Sequence, residues 1–131
     1  MTVVQTLFGD ELLNAVFANF KPSSQRFKIT ESKLISVFYE VLRRPEYRPL
    51  GQNYPFDSDG MEPRSKAVSD AFDSLQQSRL IGRMNPDLVI YSISDALRVR
   101  YEKFIRPKIR AKESLIKKLA AEVESKLDVV T

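Results

Sequence analysis

The chain of 131 residues is 43% hydrophobic and 29% charged, the composition of one folded domain rather than of a disordered or fibrous chain. It contains no cysteine and no histidine, which excludes disulfides, Ser-His or Cys-His catalysis and metal sites built from sulfur or imidazole. The net charge of +4 is concentrated late in the chain, because residues 96–131 hold 10 of the 21 basic and 5 of the 17 acidic side chains.

These absences predict a protein that is not an enzyme and that uses no cofactor and no metal. The stretch DSDGME, residues 57–62, has the composition of a calcium loop, but Pro55 and Lys66 stand where its first and twelfth ligands are needed. No apolar run approaches the roughly 20 residues that span a bilayer. The start, MTVVQTLFGDELL, lacks the cationic region of a signal peptide. We therefore expect a cytoplasmic protein with no membrane partner.

The first predicted helix is DELLNAVFANF, residues 10–20, with Asp10 as its N-cap and Pro22 beyond its end. One broad apolar stripe runs along it, formed by Leu12, Leu13, Val16, Phe17 and Phe20. A short strand follows at Phe27–Ile29, where apolar residues alternate with charged ones. The second helix, residues 30–44, has Thr30 as a good N-cap and ends before Pro45.

Residues 45–62, PEYRPLGQNYPFDSDGME, show no regular period and form a predicted loop of about 18 residues. Arginine and aromatic side chains are interleaved in and just before it: Arg43, Arg44, Tyr47, Arg48 and Tyr54. Such a mixture can bind nucleic acid through phosphates and stacking, or can form a protein contact. Alternatively, the aromatic side chains fold back as a lid over the core.

The third predicted helix spans residues 63–80, with Val68, Ala71, Phe72 and Leu75 facing the core. Next, LIGRMNPDLVIYSIS, residues 80–94, predicts a β-hairpin. Gly82 either ends the helix or bends the strand, and Asn85-Pro86-Asp87 is typical of a turn. The second strand of the hairpin has one predicted core face, which carries Val89, Tyr91 and Ile93. An isolated hairpin is marginal in water, so we expect helices beneath it and the Phe27–Ile29 strand beside it.

The last segment, residues 95–127, predicts a long helix that Ser94 caps and that Pro107 kinks or breaks. Five apolar residues beyond the proline fall close to a heptad repeat: Ile109, Ile116, Leu119, Val123 and Leu127. This pattern favours pairing with a second copy of the chain, and we predict a homodimer through these residues. Residues 1–95 then form one domain, and residues 96–131 form a basic helical extension that dimerises.

The order helix, strand, helix, helix, hairpin resembles that of winged-helix proteins, as does the run from DAFDSLQQSRLIGR through NPDLVIYSIS. The resemblance covers residues 10–95 and implies a mainly helical α+β fold with three helices, a hairpin wing and one extra short strand. In that family the third helix enters the major groove of DNA and the wing contacts the backbone. The implied DNA contacts here are Arg64, Ser65, Lys66, Ser69, Arg83 and Asn85. Two departures are the long 45–62 loop and the outward Asp70 and Asp73.

The strongest basic feature lies between residues 98 and 118, where nine basic and two acidic side chains give a net charge of +7. The first seven cations are Arg98, Arg100, Lys103, Arg106, Lys108, Arg110 and Lys112. Such density predicts salt-dependent binding of duplex DNA, so our leading hypothesis is a DNA-binding, transcription-regulator-like protein. The alternative for these cations is a solvated helix with pairs such as Glu113–Lys117. The alternative for the whole chain is a protein-interaction subunit of a larger complex.

Overall fold

Helices and short strands alternate along the chain, in a computed structural model that describes residues 7–58, 62–84 and 89–130. The α-helices are α1 Glu11–Ala18, α2 Glu31–Leu42, α3 Arg48–Gly51, α4 Lys66–Gln77, α5 Asp95–Arg100 and α6 Glu113–Glu124. The strands are β1 Arg26–Lys28, β2 Ile81–Met84, β3 Ile90–Ile93 and β4 Asp128–Val129. The prediction of a mainly helical α+β fold is confirmed. No helix in the described ranges is both long and apolar enough to cross a bilayer.

Helix α1 lies at the centre of the fold. All of its residues from 12 to 17 are buried, including Asn14 and Ala15, so the predicted single apolar stripe was too narrow. A helix that is buried all round needs neighbours on every side, and α4, α5 and α6 all pack against α1. The remaining elements are arranged around this helix.

The strands form an antiparallel sheet with the order β2-β3-β1-β4 among the described residues. The predicted hairpin is confirmed, with Ile81 opposite Ile93 in β2 and β3. The predicted strand beside it is also confirmed, because Phe27 of β1 lies opposite Tyr91 of β3. Strand β4 was not predicted. The turn at Asn85-Pro86-Asp87 lies outside the described residues, and Val89 precedes β3, where its carbonyl accepts from the Ile29 N–H at 2.9 Å.

Aromatic rings fasten the sheet to the helices. Phe17 of α1 stacks on Phe27 of β1 at 5.4 Å between ring centroids, and Phe27 stacks on Tyr91 of β3 at 5.8 Å. Phe72 of α4 lies 4.8 Å from Tyr91. Large rings in such contacts supply much of the apolar area that a core of this size buries. The hairpin is therefore part of the core and not an appendage.

Three of the described helices begin directly after a residue whose hydroxyl side chain caps their N-terminal end. The Thr30 and Ser94 side chains accept from the N–H groups of Lys33 and Leu97, as predicted. Ser65 accepts from the Val68 N–H at 3.1 Å, so α4 begins at Lys66 and not at Pro63. Asp10 makes no such cap hydrogen bond.

Residues 45–58 are more ordered than the predicted loop. A 3-10 turn at Pro45–Tyr47 leads into α3, and both Tyr47 and Tyr54 are buried. The Tyr54 hydroxyl donates to the Gly9 carbonyl at 2.9 Å and accepts from the Leu12 N–H at 3.2 Å, at the start of α1. The Tyr47 hydroxyl donates to Glu122 at 2.8 Å. The two tyrosines thus cover the core, as the second interpretation of this segment had it.

The segment after Ser94 is broken and not one long helix. After α5 come a wide π turn at Tyr101–Ile105 and 3-10 turns at Arg106–Lys108 and Arg110–Lys112, before α6 begins. Pro107, which has no N–H to donate, lies in this irregular part, as predicted.

The five residues predicted for a dimer interface lie in the core of the single chain. Ile109, Ile116, Leu119, Val123 and Leu127 are each at most 8% exposed and pack in the same cluster as α1. The boundary expected between residues 95 and 96 likewise falls inside one hydrophobic core, so residues 96–130 are not an extension. A heptad-like apolar repeat requires a partner surface, and here the chain itself supplies it.

Helix α4 is followed by a residue with a left-handed backbone conformation. Arg79 has a φ of +61°, and the Leu80 and Arg79 N–H groups donate to the Leu75 and Gln76 carbonyls. This is a Schellman ending, and Arg79 occupies the position where glycine is preferred, whereas Gly82 lies within β2.

We expect Arg79→Gly to raise the free energy of unfolding by about 1 kcal/mol, because it relieves the left-handed strain of a residue with a Cβ. Gln77→Gly, at the last residue of the helix, should lower it by about 0.5 kcal/mol. Urea unfolding of both variants measures the difference. An Arg79→Gly protein no more stable than the wild type would refute this description of the helix end.

Candidate functional site

The start of α4 was predicted to contact DNA, and its polar residues are engaged within the chain. Ser65 is buried, and its hydroxyl donates to the Pro55 carbonyl at 2.8 Å. Lys66 pairs with Asp70 at 2.7 Å, and this hydrogen bond raises the pKa of Lys66. Ser69 donates to Glu31 at 3.1 Å. Arg64 lies 3.7 Å from Asp57. The exposed face of α4 is therefore locally neutral or acidic.

The wing was predicted to contribute Arg83 and Asn85. The Arg83 guanidinium lies 5.8 Å from the centre of the Tyr91 ring, where cation–π attraction holds it at the edge of the sheet. Asn85 lies outside the described residues. The structure thus places Arg83, one of the two predicted wing residues, against an aromatic ring of the core.

Two arginines of the basic stretch fix the ends of α1. Arg98 donates to the carbonyls of Ala18 and Phe20, at 2.8 and 3.1 Å, where the helix leaves its last carbonyls unpaired. Arg100 donates to the Asn14 Oδ1 at 2.9 Å and to Asp10 at 2.8 Å. The sequence predicted that both side chains contact DNA, whereas in the structure both have a role in holding the fold together.

Asp10 and Asn14 complete this buried network. The second Asp10 oxygen accepts from the Ser74 hydroxyl of α4 at 2.7 Å, and the Asn14 side chain donates to the Leu97 carbonyl at 3.2 Å. One carboxylate and one amide therefore join α1 to α4 and α5. Asp10 is used for this purpose and not as the predicted helix cap.

Further cations of the stretch also have carboxylate partners. Arg106 lies 2.8 Å from Glu102 and 2.7 Å from Glu113, and its hydrogen bond to Glu102 is the main cause that raises its pKa. Lys108 lies 2.5 Å from Glu11. Lys117 lies 3.8 Å from Glu113, the pair that sequence spacing suggested. Within the described ranges, no ion pair holds Lys103, Arg110 or Lys112.

An exposed aromatic surface lies beside these cations. Phe8 is 60% exposed and Phe104 is 68% exposed. Lys108 follows Phe104 by four residues, and its ammonium group lies 4.9 Å from the centre of the Phe8 ring. We name Phe8, Phe104 and Lys108 together the Phe8–Phe104 surface. Segment 101–105 packs against α1, which begins three residues after Phe8.

Sequence reasoning missed this surface, although the sequence contains a signal for part of it. Leu97, Tyr101, Ile105 and Ile109 recur every four residues and are all buried. Phe104 falls outside that repeat, as does Val99, which is 49% exposed. A large apolar residue that stands off the buried face of its own helix is a candidate contact residue. No comparable signal marks Phe8.

A second concave site joins the arginines of the 43–48 region. The side chains of Arg43, Arg44 and Arg48 line a cavity of about 270 Å³ between the end of α2 and α3, together with the rings of Tyr39 and Phe56. The Arg43 guanidinium lies 5.4 Å from the centre of the Tyr39 ring, and the Tyr39 and Phe56 rings meet edge to face at 5.4 Å. We name this cavity the arginine pocket. Of the predicted contact residues in this region, the three arginines and Tyr54 come together here, whereas Tyr47 is buried and does not line the cavity.

Comparisons with models of protein families, with curated proteins and with solved structures find no match to this chain. Its function must therefore be argued from its own surfaces. In the part of the chain that the structure describes, no cluster of three or more carboxylates comes together as a metal site would require.

The network at Arg100 can be tested by stability. Arg100→Met removes the partner of a carboxylate that is 13% exposed, so we expect the free energy of unfolding to fall by about 2 kcal/mol. Lys103→Met, the matched loss of a neighbouring exposed cation, should change it by no more than about 0.5 kcal/mol. Chemical denaturation of both variants provides the measurement. Equal effects would show that Arg100 is an ordinary surface cation.

Proposed function

We propose that this chain is a winged-helix domain that binds another protein, with the Phe8–Phe104 surface at the centre of the contact. The order α1, β1, α2, α4 and the β2–β3 hairpin supports the winged-helix assignment, with β1 paired beside the hairpin. Helix α3 and the residues around it are then an insertion between the second and third helices of that plan.

The observation that carries the protein-binding function is the exposure of two phenylalanines, Phe104 in a segment that packs against α1 and Phe8 three residues before that helix. Protein contacts are enriched in aromatic anchors, and a few such side chains supply most of the binding free energy. The Lys108 ammonium group lies 4.9 Å from the centre of the Phe8 ring, and Lys103 and Arg110 are exposed close to Phe104 in sequence. A fitting partner presents an apolar cleft with carboxylates at its rim.

Duplex DNA is the second candidate, and the unpaired Lys103, Arg110 and Lys112 favour it. It ranks lower because phosphate contacts dominate DNA affinity and because most of the other predicted cations already hold carboxylates or carbonyls. The face of α4 that would enter the groove adds Asp70 and Asp73, which are both exposed.

The proposal predicts that position 104 contacts the partner. A photo-reactive phenylalanine analogue at position 104 should crosslink one protein in an extract of the source cells, whereas the same analogue at Val129 should not. Val129 is a matched control because it is 40% exposed and lies in β4. Phe104→Ser should then weaken binding of the purified partner roughly thirtyfold, as expected for an anchor worth about 2 kcal/mol.

The same titration against a random duplex separates the two candidates. Binding to the duplex that Phe104→Ser leaves intact, but that the triple replacement of Lys103, Arg110 and Lys112 by alanine abolishes, would favour DNA. If position 104 also crosslinked no protein, the protein-binding proposal would be refuted.

A further inference from the structure

The arginine pocket concentrates positive charge that the described carboxylates neutralise only at Arg44. Among the described residues that line it are three arginines and no carboxylate. Arg44 is paired with Glu122 at 2.8 Å, but Arg43 and Arg48 are exposed and make no ion pair with any described residue. Two unpaired guanidinium groups at one cavity repel each other, and a bound anion would relieve that repulsion.

The carboxylates nearest in sequence are already occupied. Glu46 accepts from Lys118, and Glu40 accepts from Lys126 at 3.1 Å. Glu122 accepts from both Arg44 and the Tyr47 hydroxyl. Glu40 and Glu46 are therefore bound to cations outside the pocket and Glu122 is bound to Arg44, so Arg43 and Arg48 keep their charge.

The other wall of the pocket is aromatic. The Tyr39 and Phe56 rings meet at 64° and are both only partly buried, so part of each ring is open to a ligand. Aromatic rings beside arginines are the arrangement that proteins use to stack a base and hold its phosphate. The Gln52 side chain, which also lines the cavity, can both donate and accept hydrogen bonds.

We propose that the arginine pocket binds a single nucleotide, with the base against Tyr39 and Phe56 and the phosphate on Arg43 and Arg48. The volume of about 270 Å³ is close to the lower end of small-molecule sites, which start at roughly 300 Å³, and it favours one nucleotide over a dinucleotide. Guanidinium groups suit phosphate oxygens because they can donate two parallel hydrogen bonds. The pocket lies on α2 and α3 and shares no residue with the Phe8–Phe104 surface, so this proposal is independent of the function proposed above.

A base with an attached phosphate is present both in a free nucleotide and at the end of a nucleic-acid strand, and either could occupy the pocket. Titration of the full chain with ADP, with a 5′-phosphorylated tetranucleotide and with inorganic pyrophosphate separates these sources. Binding is followed by ¹H–¹⁵N chemical shifts, including those of the arginine side chains. We expect ADP or the tetranucleotide to shift the resonances of Arg43 and Arg48, and the tighter of the two identifies the source.

The variants test each half of the pocket. Arg43→Gln with Arg48→Gln should weaken nucleotide binding at least tenfold, since both charge-assisted contacts to the phosphate are lost. The control, Arg26→Gln with Lys103→Gln, removes the same charge from exposed sites elsewhere and should leave binding unchanged. Phe56→Leu should weaken binding of ADP and leave pyrophosphate unaffected.

Three results would overturn the proposal. The first is no shift with either nucleotide probe up to about 5 mM, which corresponds to a binding free energy weaker than about 3 kcal/mol. The second is nucleotide binding that the arginine pair of substitutions does not weaken. The third is pyrophosphate binding as tight as ADP with no effect of Phe56→Leu, which would leave an anion site without recognition of a base. Unchanged thermal unfolding of each variant shows that the fold is intact in all arms.

Discussion

The burial of α1 on every side is the constraint on which the rest of the structure depends. Six consecutive residues without contact with water need elements packed all around them, and one of the six, Asn14, is polar. A buried amide must keep its hydrogen bonds, because an unpaired one costs about 1–3 kcal/mol. Asn14 finds its partners in Leu97 and Arg100, both in the late segment of the chain. The late segment is therefore required by the first helix.

The burial of α1 also determines which groups several of the basic residues of the late segment contact. Arg98 holds the C-terminal carbonyls of α1, and Arg100 and Lys108 hold Asp10 and Glu11 at its other end. Three of the nine cations in the run that looks like a surface for a polyanion are thus attached to one helix. The two surfaces proposed for recognition are the Phe8–Phe104 surface, which shares Lys108 with this run, and the arginine pocket. The two sites differ in chemistry, since one is apolar with a basic rim and the other is a charged cavity.

The parts of the fold that local interactions determine could be predicted from the sequence. Helix α2 begins where Thr30 can cap it and ends before Pro45, and the hairpin follows from strand propensity on both sides of a turn. The paired strand at Phe27 was predicted because an isolated hairpin is unstable in water. Strand β4 was not, because two residues at Asp128–Val129 carry no pattern and are ordered only by pairing with β1.

Features that depend on distant partners could not be predicted. The repeat at Ile109, Ile116 and Leu119 has the same pattern whether its partner is a second chain or α1 of the same chain. The burial of Tyr47 depends on Glu122, which is 75 residues away. For the site, the sequence indicated that the arginines at 43, 44 and 48 belong together with aromatic residues, but not that Arg98 and Arg100 face inward. Charge density alone does not show which carboxylate or carbonyl a cation will find.

The most direct test is to end the chain at residue 95 and to measure its unfolding. If α1 needs the late segment on one of its sides, the shortened chain should lose its cooperative urea transition and the near-ultraviolet circular dichroism of its tyrosines. A shortened chain that unfolds cooperatively, with that signal retained and a free energy close to that of the full chain, would contradict the account.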